Sequence, residues 1–225
     1  MAEGDSWMNL PYLLDWKAIG DSLKYRNKYK VRNIGKWGHT IDEMVKRKQY
    51  MHVIDDKQPD YYIFSGGGND LQDKLKAGGI VKNFDPELSA DEYLTTDGLE
   101  AISQIEELYR EMVAEITLTF PNVKIFTHSY DYPRPLLGKG KFLGKHLRDR
   151  GIPDALMSPI LNHIMKLLDM SIKKVVNEFD PSVFHVDCMG ATEPFLWRND
   201  FHPNNEGFNK LAELFEEKIM FADSL

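Results

Sequence analysis

Residues 3–7 read EGDSW and residues 19–23 read IGDSL, so the run Gly-Asp-Ser occurs twice near the start of the chain. A serine in such a run suits a sharp turn between a strand and a helix, where its hydroxyl stands above the edge of a sheet and backbone N–H groups are free. Only one of the two runs can occupy the turn after the first strand. The choice between Ser6 and Ser22 therefore decides how the chain divides into strands and helices.

Spacing favours Ser6 over Ser22. The next glycine-rich turn lies at Gly38, 16 residues after Ser22 and 32 residues after Ser6. The shorter interval has little room for a helix followed by a strand, whereas the longer one holds both. Around Ser22, apolar residues recur at helical spacing, which places that serine on a helix. These residues are Leu13, Leu14, Ala18, Ile19 and Leu23.

Composition indicates a globular protein of ordinary size. The chain has 225 residues, 42% of them hydrophobic, and a net charge of −7, which fits a single domain over residues 1–225. The basic clusters at 46–48 and 138–146 are short, so we expect no nucleic-acid partner. No apolar run is long enough to span a membrane.

The single cysteine, Cys188, excludes an internal disulfide and fits a reducing compartment. No signal peptide is visible, and we therefore expect a cytoplasmic protein unless residues upstream of Met1 carried a leader.

Apolar and β-branched runs alternate with helical patterns. Strands are expected at 29–35, 60–68, 122–130 and 182–190, most of them ending in Gly, Asp or Ser. A helix capped by Thr96 or Asp97 is expected between the second and third of these strands. Another should begin with Ser158 as cap and Pro159 as its first residue. A last helix should start near Glu206. The pattern predicts an α/β protein, a three-layer α/β/α sandwich around a parallel sheet.

Two segments, 71–95 and 131–153, lack periodicity and follow predicted strands. Open α/β sheets bind ligands at the carboxyl edge of their strands, so these segments are either plain surface loops or a substrate rim.

Three further turns lie at the predicted carboxyl edge. They read GKWGHT (35–40), SGGGND (65–70) and RNDFHPNNEGF (198–208). Taken alone, each has an ordinary structural explanation, such as a flexible turn, an Asx-turn or a solvated histidine. Together with Ser6 they supply an attacking oxygen, backbone and amide donors, and an imidazole. Acyl transfer needs that combination.

With these four blocks in order, the chain resembles the SGNH hydrolases, also called GDSL esterases and lipases. The resemblance runs from Gly4 to the last helix, and the local pattern looks like a bacterial subgroup. It implies a flavodoxin-like sheet of about five strands and Ser6 as nucleophile. It also implies His202 as general base, with the N–H groups of Ser6 and Gly38 and the amide of Asn69 as oxyanion hole.

The implied activity is hydrolysis of a carboxylic ester, either lipid-like or an acetylated carbohydrate, through an acyl-enzyme. The substrate is a small molecule, and neither a cofactor nor a metal is expected.

The acid that supports the imidazole departs from the family pattern. The family usually has Asp three residues before the histidine, where this chain has Asn199. Asp200 lies two residues before His202, and we expect it to orient the ring; the alternatives are another carboxylate or a Ser–His pair with weaker support. Alternatively, Asp200 has a purely structural role as a loop carboxylate that caps the last helix.

The first strand is also expected to be truncated, because only three residues precede Gly4.

Two other functions fit parts of the pattern. A metallophosphoesterase would use groups such as His128, Asp131, His185 and Asp187, but ligands from the first turns are missing. A catalytically weak or inactive module that binds carbohydrate or acyl groups would explain Asn199 and the short first strand.

Three tryptophans, Trp7, Trp37 and Trp197, lie beside the motifs. They either line an acyl or sugar pocket or simply pack the rim.

Overall fold

The computed structural model describes residues 1–11, 15–26 and 28–225, and only the backbone of Lys139. Four strands form one parallel sheet in the order β1-β2-β3-β4. Their bounds are β1 Ala2–Glu3, β2 Tyr61–Phe64, β3 Lys124–His128 and β4 Val183–Val186. The helices are α1 Ile19–Tyr25, α2 Ile41–Arg47, α3 Gln49–Lys57, α4 Gly68–Ala77, α5 Thr96–Thr119, α6 Gly144–Arg148, α7 Asp154–Glu178 and α8 Asn205–Asp223.

The helices cover the sheet in two groups. Helix α1 packs on α8, and α8 contacts β4. Helix α5 packs on α2, α4 and α7, while α7 contacts β3 and β4. The strands read as nearly continuous apolar runs because both faces of a parallel sheet are covered. The predicted three-layer α/β/α architecture is confirmed.

The expected strand at 29–35 is the main difference in the sheet. Among the described residues, this segment contributes a single bridge, from Asn33 to Ala2, beside β1. Backbone bonds from Ala2 to the Arg32 carbonyl and from Ile34 to the Ala2 carbonyl hold it there, each 2.8 Å long. Since β1 has only two residues, it offers few backbone groups to a neighbouring strand. With this segment at the edge, the spatial order is nevertheless that of a flavodoxin-like sheet.

Two helix starts also differ from expectation. Thr95, rather than Thr96 or Asp97, caps α5 by accepting a 3.1 Å bond from the Gly98 N–H. Helix α7 begins at Asp154, so Pro159 lies inside it. An acidic residue in the first turn favours that earlier start.

Segment 71–95 is partly helical because α4 extends to Ala77. Leu13 and Leu14 of the predicted helical pattern lie outside the described residues.

A row of paired residues aligns the strand ends. Ala2 pairs with Ile63, Ile63 with Phe126, and Phe126 with Phe184. The turns that follow β1, β2 and β3 therefore meet at one edge of the sheet, which brings Ser6, Ser65 and Tyr130 close together. None of the helices within the described ranges is long and apolar enough to cross a bilayer.

Candidate active site

The Gly-Asp-Ser turn after β1 is tight. Gly4 has φ of 138°, and a Cβ there would clash with Ser65, so the turn requires glycine. The carboxylate of Asp5 accepts a 2.8 Å bond from the Trp7 N–H, and its carbonyl accepts bonds from the next two amides, those of Met8 and Asn9. These bonds place Ser6 at the apex of the turn. By contrast, Ser22 is buried within α1.

A buried polar network lies under this turn. The Asp5 carboxylate accepts hydrogen bonds from the Ser65 hydroxyl at 2.8 Å and from the Tyr130 hydroxyl. The Tyr130 oxygen in turn accepts the N–H of Gly68 at 3.3 Å. Burial raises the pKa of Asp5, while these donors act in the opposite direction. The network ties the ends of three strands to the Gly-Asp-Ser turn.

Ser6 and His202 meet directly. The Ser6 Oγ lies 2.8 Å from Nε2 of His202. Burial, helped by the positive charge of Arg198, lowers the pKa of His202 to about 4. The imidazole is therefore neutral at pH 7, and its Nε2 can accept the serine proton.

Asn199 holds the other side of the imidazole. Its Oδ1 accepts the N–H groups of Phe201 at 2.9 Å and of His202 at 2.8 Å. Two N–H donors require an oxygen at this position, which assigns the orientation of the amide. The same oxygen lies 3.2 Å from Nδ1 of His202. Nδ1 must therefore carry the hydrogen, which leaves Nε2 as the acceptor that faces Ser6.

The expectation for Asp200 is corrected by this geometry. Its carboxylate does not reach His202 but accepts the backbone N–H groups of Phe142, Leu143 and Gly144. The side chain of Asn199 turns back to its own downstream amides, whereas that of Asp200 points to the neighbouring loop. Nor does Asp200 cap the last helix, because Asn204 does so.

Two of the expected oxyanion donors, Gly38 and Asn69, lie close together in the fold. Asn69 is the second residue of α4, and its Nδ2 donates a 2.9 Å bond to the carbonyl of His39, the residue after Gly38. Gly38 has φ of 81° and open space around its α-carbon. Within the described ranges, the N–H groups of Ser6 and Gly38 have no hydrogen-bond acceptor in the protein. These groups can therefore receive an oxyanion.

Of these three tryptophans, only Trp37 is exposed to solvent. It is 58% exposed, on the loop that carries Gly38. Trp7 is 1% exposed and packs among aromatic rings that include His128 and Tyr130. Trp197 is buried as well, and its indole N–H donates a 2.7 Å bond to Thr192. Trp7 and Trp197 therefore pack the rim, which corrects the expected substrate-binding role for these two residues.

The residues considered for a metal site are engaged elsewhere. His128 is buried against Trp7, and burial lowers its pKa to about 4. Asp131 accepts bonds from Gly190 and from the N–H and hydroxyl of Thr192, so it fixes the loop after β4. His185 lies 2.9 Å from Asp169. In the part of the chain that the structure describes, no group of three or more His, Cys, Asp or Glu side chains could hold a metal ion.

Sequence reasoning missed the supporting roles of Tyr130 and Asp131. The run HSYDYP at 128–133 contains both and overlaps the end of the strand predicted at 122–130, so its position was a usable signal. That Asn199, rather than Asp200, contacts His202 is visible only in the structure.

The chain is similar to known proteins in structure but not detectably in sequence. No family model matches the chain, and no curated protein matches it in sequence. Among solved structures, the lipase Lip_vut3 from a goat rumen metagenome is similar with a TM-score of 0.66, at 15% identity over 96% of this chain and 95% of that one.

Two further structures are similar over most of their length. A protein from Parabacteroides merdae described as a GDSL-like lipase has a TM-score of 0.60, at 16% identity over 96% of this chain and 93% of that one. A catalytic mutant of an acetylxylan esterase from Geobacillus stearothermophilus has a TM-score of 0.56, at 15% identity over 97% and 92%. The chain has the fold of the SGNH hydrolases.

Proposed function

We propose that the protein hydrolyses carboxylic esters through an acyl-enzyme on Ser6. The observation that carries the proposal is the 2.8 Å contact between the Ser6 hydroxyl and Nε2 of a neutral His202. A hydroxyl becomes a useful nucleophile when an adjacent base takes its proton. The similarity in fold to lipases and to an acetylxylan esterase supports the same reaction class.

In the first half-reaction, the Ser6 oxygen attacks the carbonyl carbon of the ester and its proton passes to Nε2 of His202. The negative oxygen of the tetrahedral intermediate accepts bonds from the N–H groups of Ser6 and Gly38 and from the amide of Asn69. Collapse of the intermediate breaks the bond to the alcohol oxygen. His202 returns the proton to that oxygen, and the alcohol leaves.

In the second half-reaction, a water molecule gives a proton to His202 while its oxygen attacks the acyl carbon. The bond to Ser6 then breaks, the proton returns to the serine oxygen, and a carboxylic acid leaves. During both steps His202 is positively charged, and Asn199 orients it without neutralising it. We therefore expect a working enzyme that is slower than one with a carboxylate at this position.

Substrate candidates are small esters, either lipid-like or acetylated carbohydrates. Trp37 favours the carbohydrate, because an exposed indole beside the site is a suitable platform for a sugar ring.

Fluorophosphonate labelling tests the nucleophile, followed by mapping of the labelled peptide. We expect the label on Ser6, and we expect Ser6→Ala to abolish both labelling and turnover of p-nitrophenyl acetate. Ser22→Ala is the matched control and should retain both. A folded wild-type protein that neither labels nor turns over esters would instead be a binding module on the same fold.

A further inference from the structure

The candidate site is covered. Ser6 is 1% exposed and His202 is 5% exposed, although a substrate has to reach both. The ring of Phe142 stands edge-on to the His202 imidazole, with centroids 5.8 Å apart and planes at 89°. Phe201 flanks the same imidazole at 5.0 Å. Phe142 comes from the segment between β3 and α6, so the cover is not part of the Gly-Asp-Ser turn.

Asp200 fixes this cover. We call residues 140–144 the strap. The carboxylate Oδ2 of Asp200 accepts three backbone N–H groups of the strap, from Phe142 at 3.0 Å, Leu143 at 2.6 Å and Gly144 at 3.2 Å. In addition, the Asp200 carbonyl accepts the N–H of Arg134 at 3.0 Å.

Burial raises the pKa of Asp200 because it disfavours the charged carboxylate. The three N–H donors on one oxygen compensate for that cost. The strap also lies close to the chain that precedes it, because a Cβ on Gly144 would clash with the Pro135 carbonyl. The strap is therefore held at a defined place over the site rather than lying loosely on the surface.

An apolar cavity lies behind the strap. Leu143 and Phe201 form part of its wall, and Leu71, Leu75, Ile164 and Met165 contribute to the rest. Gly68, the residue before Asn69, also lines it. The cavity thus lies between Gly68, which precedes the expected oxyanion donor Asn69, and Phe201, which precedes His202. Its volume is about 20 Å³, which is room for one water molecule.

We propose that Asp200 is a positioning residue for substrate selection. By holding Phe142 and Leu143 in place, it keeps the apolar cavity small and limits the acyl group to about the size of acetyl. This inference rests on the proposed ester hydrolysis and adds the acyl-chain class that the site accepts. Asp200 thereby acts on substrate size through the strap, not on the proton transfer at His202.

The test compares kcat/KM for p-nitrophenyl acetate and p-nitrophenyl octanoate. We expect the wild type to prefer acetate, and Asp200→Ala to raise the octanoate-to-acetate ratio at least about tenfold, the effect of burying two more methylene groups. Asp200→Asn keeps one acceptor oxygen and should give an intermediate ratio. Asp149→Asn changes an exposed carboxylate in the same loop region and should leave the ratio at the wild-type value.

A second variant covers the case in which Asp200→Ala does not fold. The ring of Phe142 is only half-buried, and Phe142→Ala should raise the same ratio without loss of the fold. A ratio within twofold of wild type in folded Asp200→Ala or Phe142→Ala would overturn the proposal.

Amide hydrogen exchange separates this proposal from the proposed function. The N–H groups of Phe142, Leu143 and Gly144 should exchange slowly in the wild type and much faster in Asp200→Ala. Unchanged exchange in that variant would refute the role of Asp200, whatever the activity. A wild type that hydrolyses neither ester but shows the expected exchange would refute the proposed reaction and leave Asp200 as the residue that holds the strap.

Discussion

The side-chain oxygen of Asn199 lies 3.2 Å from Nδ1 of His202, at the position where a carboxylate would orient the ring. Because two backbone N–H groups fix that oxygen, the amide cannot rotate to present its NH2 group. When an Asn in this position presents NH2 instead, the imidazole takes the wrong tautomer and about 10⁴ in rate is lost. Here the tautomer is correct, and only the negative charge is missing.

Asn199→Asp should therefore raise activity. A carboxylate favours the imidazolium form, which raises the pKa of His202 from about 4, by roughly 1–3 units. Each unit corresponds to ~1.4 kcal/mol, or about tenfold, of stabilisation of the charged ring during attack.

The pH profile gives the same prediction a second readout. The neutral base is lost as pH falls through the pKa of His202, so the acidic limb of kcat/KM should move to higher pH in the variant. Asn177→Asp adds a carboxylate on the exposed surface of α7 and should change neither the activity nor the pH of the acidic limb. Lower activity together with an unmoved acidic limb would contradict this account of Asn199.

Asn69→Ala tests the expected oxyanion hole. Loss of one donor should lower kcat by about 10²–10³, or ~3–4 kcal/mol of barrier, with little change in KM. Steady-state kinetics with p-nitrophenyl acetate measures both, and Asn83→Ala, an exposed asparagine, is the control. A rise in KM with kcat unchanged would indicate instead that Asn69 binds the ground state and the transition state equally well.

Tyr130→Phe tests the network under the nucleophile turn. Without the hydroxyl, the buried carboxylate of Asp5 loses a donor and the Gly68 N–H loses its acceptor. An unsatisfied buried group costs ~1–3 kcal/mol, so the urea midpoint should fall, and kcat should fall because Ser6 is held less firmly. Tyr132→Phe, two residues away, should leave both unchanged, and a Tyr130→Phe protein as stable as wild type would show that the network is dispensable.

The two tryptophans at positions 7 and 37 should respond in opposite ways. Trp7→Ala removes a fully buried ring and should cost ~3–5 kcal/mol of unfolding free energy. Trp37→Ala changes an exposed side chain and should stay within ~0.5 kcal/mol. Urea unfolding measures these values, and KM for an acetylated sugar should rise only in Trp37→Ala. Equal loss of stability in the two variants would contradict the different burial of the two rings.

The positions of the proposed catalytic groups were predictable from the order of the motifs, whereas the residues that support them were not. Ser6 and His202 come after strand ends on one edge, and parallel pairing brings those ends together. The choice between Asn199 and Asp200 depends on side-chain directions within four consecutive residues, and sequence spacing carries no such information. An Asn that bonds its own downstream amides is a local turn preference, so here local chemistry outweighed the expected acid.

The burial of Trp7 at the rim could likewise not be predicted from the sequence. Trp7 follows the nucleophile directly and looks well placed to line a pocket. However, its N–H bonds to Asp5 and its indole N–H donates to the Phe201 carbonyl, which directs the ring inward. The prediction of a strand at 29–35 was wrong for a different reason. A strand needs a partner to pair with, and β1 offers only two residues.

Ser6 and His202 are 196 residues apart in the chain yet share one hydrogen bond. During synthesis at about 5–20 residues per second, Ser6 is therefore made roughly 10–40 s before His202. Strands β1 and β2 can pair long before that, since 59 residues separate Tyr62 from Glu3. On the proposed mechanism, reactivity of Ser6 toward fluorophosphonate therefore requires that the chain has been made past His202 and has folded so that the two side chains meet.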